Sequence, residues 1–537
     1  MAIIPGTAGD DNITETVNAT RIRALAGDDV VVITGDDNVI DGGTGDDRLE
    51  VEGSGNTLRG GAGDDELIAN SLIFVPPDEG PAGNTLIGGT GRDALTATAS
   101  AEGFGNNEAH ATNTLDGGAG DDELTATAIA DSEFADATAT NTLRGGAGAG
   151  NDALTATADA FGDIVSATNT LVGGAGDDTL SASASASGEF QGSATNALDG
   201  GASDDVLTAS ASASGEFDEA HATNTLHGGA GNDALTASAS AVGDLATATN
   251  TLDGGAGDDE LTASAEARGD EVTATNTLEG GAGDDTLLAE VIGANGSSQL
   301  FGGAGDDALT ATASATGDPA GVSATNSLDG GTGNDALTAT ATAPGDFESR
   351  TTNTLDGGAG NDVLTATAEA NDEASEEDVT ATNTLRGGAG DDTLRAEIIG
   401  ENGSSQLFGG RGNDHLTAIG GEDNVLDGGA GDDTLVSSAG DDTMAGGAGD
   451  DDYVFDFGFG LDLIREAGGE DTIRFGAGIA VDDVSLEASD GDLLVGVGDD
   501  LITVDQHFAA DAQFVEQIEF ADGTILALSD DPNLLWV

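Results

Sequence analysis

The sequence predicts an all-β chain, a right-handed parallel β-roll or β-solenoid capped by a C-terminal β domain. Three observations predict it. A Gly-Gly-x-Gly-x-Asp turn, twice in variant form, recurs 17 times between Gly42 and Asp451, almost always with an apolar residue two places after the Asp. The segments between turns alternate apolar and polar residues with the strand period of two. The turn-to-turn spacing is that of coils, 18 or 19 residues near both ends and 26–30 through the middle, with two shorter coils of 22. Such a repeat cancels the expectation of several globular domains in 537 residues, because a solenoid grows by adding coils.

Residues 1–41 are read as the start of the repeat array and its N-terminal cap, 42–451 as the solenoid, and 452–537 as a C-terminal cap. An 18-residue coil is two nonapeptides with a glycine turn on each edge. GDD or GED does occur opposite the main turn at residues 35–37, 421–423 and 440–442, so two rows of turns are expected near the ends and one along the middle. A middle coil, residues 228–253, reads GGAGNDALTASASAVGDLATATNTLD and predicts strands over 235–241 and 246–252. Leu235, Ala237, Ala239 and Ala241 share the inner face with Ala246, Ala248, Asn250 and Leu252. Thr236, Ser238 and Ser240, and on the other side Thr247, Thr249 and Thr251, must then point outward.

So thin an interior calls for stacking between coils, with Leu ladders and an inward Asn ladder at Asn113, Asn141, Asn169, Asn224, Asn250, Asn276, Asn353 and Asn383. The edge opposite the turn is variable and acidic, as in SGEFQ at 187–191 and DEASEE at 372–377, and reads as exposed loop. Residues 284–309 and 391–416 share AE-x-IG-x-NGSSQLFGG and account for the two short coils. Beyond Asp451 the periodicity is expected to stop. Tyr453, Trp536 and seven of the 16 Phe fall there, as suits a cap over an open solenoid end.

Lys and Arg total 13, all of them Arg, against 101 Asp and Glu, for a net charge of -88. Nucleic acid and anionic membranes would be repelled, and no run of about 18 apolar residues supports membrane insertion. The acid is patterned, with Asp pairs at a fixed place in each repeat, which suits a metal site better than a solvated disordered chain. Cysteine is absent, so a metal in these turns must be bound by oxygen. One ion in each gap between 17 stacked turns would bring -88 to roughly -56. The N-terminus, MAIIPGTAGDD, shows no basic leader followed by an apolar stretch, so export is expected to use another address.

With these turns and the nonapeptides of residues 26–53, residues 6–451 resemble the RTX, or haemolysin-type calcium-binding, β-roll. The segments DTIRFGAGIAVDDVSL from Asp471, DLLVGV from Asp492 and EQIEFADGTIL from Glu516 look like the domain that often follows such repeats. The resemblance implies export through an ABC-type (type I) exporter using an uncleaved C-terminal signal. It also implies ions held between turns of adjacent coils by glycine-turn carbonyls and the sixth-position carboxylate. Here those carboxylates are Asp47, Asp65, Asp93, Asp122, Asp152, Asp178, Asp205, Asp233, Asp259, Asp285, Asp307, Asp335, Asp362, Asp392, Asp414, Asp433 and Asp451. Three departures stand out: Ser203 replaces the fourth-position Gly, the turn at Gly145 carries an Ala-Gly insertion, and most coils are wider than the family's 18 residues.

No His-Glu-x-x-His, Gly-x-Ser-x-Gly or phosphate-loop motif is present, and the repeats begin almost at residue 6, so the chain is expected not to be an enzyme. His110, His221, His227, His415 and His507 share no spacing and read as surface or packing residues. Outward Thr and Ser would form rows about 4.8 Å apart between coils and about 7 Å apart along a strand. Such rows resemble the Thr-x-Thr faces of ice-binding β-solenoids, although Arg395, Glu397 and Glu290 in the short coils interrupt them. The reading is a secreted, calcium-dependent structural protein, a filament, surface-layer or matrix component that associates with itself. Ice binding and polysaccharide binding are the alternatives.

Overall fold

The computed structural model describes residues 2–75, 81–146, 148–215, 219–316, 321–344, 349–371, 379–400, 402–508, 515–529 and 531–532. The chain forms two compact units, Met1–Gly281 and Ala282–Val537. In each, successive coils contribute parallel strands that pair in register with the equivalent strands of the next coil. In the first unit Val206–Gly215, Ala234–Val242 and Glu260–Arg268 stack with Leu207, Leu235 and Leu261 in one column. On the other sheet Glu219–Ala230 stacks on Leu245–Ala256, with Asn224 beside Asn250 and Leu226 beside Leu252. In the second unit Ala308–Ala315, Ala336–Pro344 and Val363–Asn371 repeat the pattern through Leu309, Leu337 and Leu364. The fold is an all-β parallel β-solenoid, as the period-2 pattern predicts.

The alternation sorts residues as expected: Leu235, Ala237, Ala239, Ala241, Ala246, Ala248, Asn250 and Leu252 are buried, while the Thr and Ser between them reach the surface. A buried Leu contributes about 2 kcal/mol and a buried Ala much less, so one coil is weak alone. Hydrogen bonding between coils supplies the remainder. Asn224 shows how: its Nδ2 donates to Asn250 Oδ1 (2.9 Å) and to the Ser238 carbonyl (2.8 Å), and its Oδ1 accepts from Asn196 (2.9 Å). The ladder runs Asn113, Asn141, Asn169, Asn196, Asn224, Asn250, Asn276 in the first unit and Asn326, Asn353, Asn383 in the second. Asn196 and Asn326 escape the sequence pattern because ATNAL and ATNSL replace ATNTL around them. In the 22-residue coils Ser298 and Ser405 align with the Asn column but their buried hydroxyls find no partner, so the ladder does not extend through them.

Replacing Asn224 with Ala strands the amide of Asn196 and the carbonyls of Asn250 and Ser238. The expected loss is about 3 kcal/mol in urea denaturation with excess calcium, since each buried orphan costs about 1–3 kcal/mol. Thr225→Ala, on the solvent side of the same strand, should stay within about 0.5 kcal/mol. Equal effects would show that the Asn column is not what holds the coils.

The far edge differs from the sequence reading in one stretch. Ala153–Ala175 and Thr179–Ala202 each pass through it as one bent strand, with Gly162 beside Gly188 and Ile164 beside Gln191, so of residues 187–191 only the exposed Glu189 and Phe190 bulge out of the pairing. Glycine on both strands lets the backbones turn the corner together. Coil after coil in the first unit also presents an exposed phenylalanine there, Phe74, Phe104, Phe134, Phe161 and Phe190, the first two stacked at 6.4 Å. Residues 372–377 and Trp536 lie outside the described residues.

Stacking does not stop at Asp451. Asp452–Phe455 pairs with Thr434–Val436, Leu461–Arg465 with Thr443–Ala448, and Asp471–Phe475 with Asp452–Phe455, all parallel. Asp500–Val504 and Val515–Phe520 continue on these in parallel. Antiparallel pairing enters with Val484–Ser489, Asp492–Val497 and Ile525–Ala527. The Gly-Gly-x-Gly spacing is lost here, with Gly468-Gly469 displaced toward the Asp, but Asp-x-apolar persists in Asp462-Leu463-Ile464 and Asp471-Thr472-Ile473, and the register is kept. Phe455, Phe459, Phe475 and Phe520 fill this end of the core, with ring centroids 5.0–6.4 Å apart, where upstream coils have Leu and Ala.

Candidate metal centre

Each glycine turn brings its sixth-position Asp under the preceding coil. In the first unit the backbone N–H of Asp47 donates to Asp65 Oδ1 (2.8 Å). The pattern continues through Asp93, Asp122, Asp152, Asp178, Asp205 and Asp233 to Asp259, at 2.7–2.9 Å. In the second unit it runs from Asp285 through Asp307, Asp335, Asp362, Asp392, Asp414 and Asp433 to Asp451. All 17 predicted carboxylates are therefore buried in two columns, one per unit. Only Oδ1 is used by this hydrogen bonding. Oδ2 is buried with no donor in Asp47, Asp65, Asp93, Asp122, Asp178, Asp205 and Asp233, and in Asp307, Asp335, Asp362, Asp392, Asp414, Asp433 and Asp451.

These orphan oxygens converge with other acceptors. A Cβ placed on Gly228 would lie 2.4 Å from Asp233 Oδ2 and 2.7 Å from the Gly254 carbonyl, so the space beside the first glycine is walled by a carboxylate and the next coil's carbonyl oxygen. Gly88, Gly173, Gly302 and Gly428 repeat the arrangement. The second glycine has its own constraint: Gly229 sits at φ +117, and a side chain there would meet the Gly201 carbonyl at 2.1 Å.

The fifth position serves the backbone in the opposite direction. Asn232 N–H donates to Asp204 Oδ1 (2.7 Å) and Asp258 N–H to Asn232 Oδ1 (2.9 Å), so an amide oxygen works there as well as a carboxylate. Position five accordingly varies among Asp, Asn and Arg, while position six is Asp in every turn. The opposite edge makes the contrast sharper. There Asn38 and Asn56 take up the same buried capping role, Asn38 N–H donating to Asn56 Oδ1 (2.9 Å) and Asn56 N–H to Asn84 Oδ1 (3.0 Å). An Asn satisfies every backbone hydrogen bond in this geometry, so the second, partnerless oxygen of Asp must serve something else. A hard cation between stacked turns fits this donor set of carboxylates and carbonyls.

The two rows of acidic turns expected near the ends are corrected at the N-terminal end and kept in part at the C-terminal end, where Asp442 is buried. Asp36 and Asp37 are exposed and the buried residue is Asn38, so the described N-terminal coils carry no second carboxylate row. Near the C-terminus Asp423 is exposed and Asn424 buried, followed by Asp442 and Asp462, each accepting the previous N–H at 2.8 Å. Asp29 and Asp471 also share the main column's geometry, through the N–H groups of Asp11 and Asp451. The Gly-Gly criterion misses Asp29, Asp462 and Asp471, whose surviving signal is an Asp two places before an apolar residue.

Two irregular turns keep the column. Ser203 adopts the glycine-like φ of +88, and Asp205 is still buried and bonded to Asp178 N–H at 2.7 Å. Past the insertion after Gly145, Asp152 accepts from Asp122 N–H at 2.8 Å.

Burial, reinforced by like charges above and below, raises these carboxyls far from the ordinary value near 4. Asp65, Asp122, Asp205, Asp392, Asp433 and Asp451 are pushed up to about 7, and Asp47, Asp93, Asp178, Asp307 and Asp335 to about 6. Without a cation the column holds protons at pH values where free Asp has none.

A family model of the RTX calcium-binding nonapeptide repeat matches residues 32–67, 111–128, 165–186, 222–241, 247–266, 273–291, 290–314, 350–371, 380–397, 397–421 and 419–453. The haemolysin-type calcium binding protein related domain matches residues 492–530. No curated protein matches the chain.

Proposed function

Because the chain belongs to the RTX, haemolysin-type calcium-binding repeat family, we propose that it is a calcium-assembled extracellular structural protein, a filament, surface-layer or matrix component. The calcium reading rests on one observation above the others: the sixth position is Asp in every turn, and in turns such as those of Asp65, Asp205 and Asp392 its Oδ2 is buried and partnerless, in a place where Asn would satisfy the backbone. One Ca²⁺ per gap, bound by the 17 sixth-position carboxylates and the turn carbonyls, is the stoichiometry this arrangement supports. Export follows the family's type I route, through an ABC-type exporter that reads a C-terminal signal. Where free calcium is low, carboxylate repulsion keeps the chain extended, and calcium outside the cell lets the coils stack.

A structural role is favoured because the described chain is coil and cap. The second reading, ice binding, is favoured by the Thr-Asn-Thr strands. Thr112, Thr140, Thr168, Thr195, Thr223 and Thr249 align in one register column, and Thr114, Thr142 and Thr170 in the next, interrupted at Ala197. Sedimentation and electron microscopy of the full chain with millimolar calcium separate the readings. Calcium-dependent polymers are expected. A monodisperse chain would overturn the assembly role, and thermal hysteresis from that monomer would identify the Thr face as the working surface.

A further inference from the structure

The last turn of the second unit's column differs chemically from all others. Aligned on the stacking register, residues 466–471 read Glu-Ala-Gly-Gly-Glu-Asp, so that Glu466 occupies the position of the first glycine. The alignment is fixed by hydrogen bonds: Gly449 N–H donates to the Gly468 carbonyl (3.1 Å) and Asp451 N–H to Asp471 Oδ1 (2.9 Å), as equivalent positions do in upstream coils. A carboxylate therefore enters a turn that elsewhere has no side chain at this position.

We infer that Asp451, Glu466 and Asp471 form a three-carboxylate site for a hard divalent cation at the C-terminal end of the turn column. One carboxylate oxygen from each lies within 4.8 Å of the others. Asp451 and Asp471 are completely buried, and the Oδ2 atoms of both have no hydrogen-bond partner. Three carboxylates gathered this closely, two of them out of water and Glu466 half-buried, need a counter-charge, and the arginines of this segment are engaged elsewhere, Arg474 with Asp452 and Glu519 and Arg465 with Asp505.

Glu466 is also positioned. Its Oε1 accepts from the Tyr453 hydroxyl and its Oε2 from Ala467 N–H (3.1 Å). The Tyr453 hydroxyl in turn accepts from Gly446 N–H at 2.7 Å. A Cβ on Gly446 would meet Asp451 Oδ2 at 2.3 Å and the Tyr453 hydroxyl at 2.6 Å, whereas on Gly428 it would meet Asp433 Oδ2 and the Gly446 carbonyl. The tyrosine hydroxyl thus stands where a further glycine turn would place its carbonyl, and Glu466 adds charge where no further turn follows. With three carboxylates in place of the two that a repeat gap such as Asp433–Asp451 offers, this gap binds its ion more tightly than the repeat gaps.

The site rests on the reading of the turn Asp residues as calcium ligands, and the test keeps the two apart. Tyr453 is the chain's one tyrosine and touches Glu466, so terbium bound there is sensitised by tyrosine excitation while ions in distant turns are not. In the calcium-stripped full chain, a sensitised component amounting to one ion is expected to saturate before the bulk of the terbium binds. Glu466→Gln, which keeps a hydrogen-bonding partner for Tyr453, should weaken that component at least tenfold, and Asp233→Asn should leave it unchanged. A wild-type chain that folds with terbium but shows no early sensitised component overturns the site, as does an unaltered component in Glu466→Gln. The circular dichroism of the same samples reports the repeats: if β structure ignores the metal throughout, the turn reading fails instead.

Discussion

Chelating calcium at about pH 8 is expected to abolish most of the parallel β structure, and returning calcium to restore it. The sixth-position carboxylates stack coil over coil, and in most of them, from Asp47 to Asp233 and from Asp307 to Asp451, Asp152 aside, one oxygen is reached by no donor. Ionised, such a column repels itself along its length and pays the desolvation of every buried charge. Little opposes this. The core is Leu, Ala and Asn, and the net charge of the whole chain is -88. A divalent ion between turns removes both penalties at once, so binding energy and folding energy are the same quantity. Far-UV circular dichroism through a calcium titration should show a steep, cooperative gain of β signal, because coils stabilise one another chiefly through their neighbours. Full β structure in excess chelator at this pH would overturn the assignment of the carboxylate columns to calcium.

Acidification should partly replace calcium. With their folded-state pKa raised to about 6–7, residues such as Asp47, Asp65, Asp122 and Asp433 bind more protons folded than unfolded between about pH 4 and 7. Their contribution to the stability of the calcium-free fold is complete below about pH 4. It is lost as pH rises through 6–7, at about 1.4 kcal/mol per pH unit for each Asp within its window. Thermal melts in chelator should therefore give midpoints that fall from about pH 4.5 to pH 8. In saturating calcium the order inverts, since the ligands must be deprotonated to bind. A calcium-free midpoint that climbs with pH across this window would show that burial does not hold these carboxyls neutral.

Much of the site was legible before any coordinates. The Gly-Gly pair marks a backbone that only residues without a side chain readily follow, and all 17 turns located this way bring their Asp into a buried column. What the motif could not show is which carboxylates share that geometry without the glycines. Asp462 and Asp471 follow Gly-Leu and Gly-Glu, and only their pairing with Asp442 and Asp451 marks them as members. Asp36, Asp37 and Asp423 err the other way. They look like turn acids in sequence, but the inward position one or two residues later belongs to Asn38 and Asn424.

The sequence by itself determined the fold class, the coil lengths and the inward and outward faces. All of these follow from local periodicity, and periodicity is repeated here often enough to outweigh any single irregular residue. Tertiary structure alone decided where the stacking ends, that Asn196 and Asn326 join the ladder, and that Glu466 meets Asp451 and Asp471. These depend on which residues lie above and below one another, and neighbours in that direction are 18–30 positions apart along the chain, too far for local pattern to reach once the glycine turn has gone.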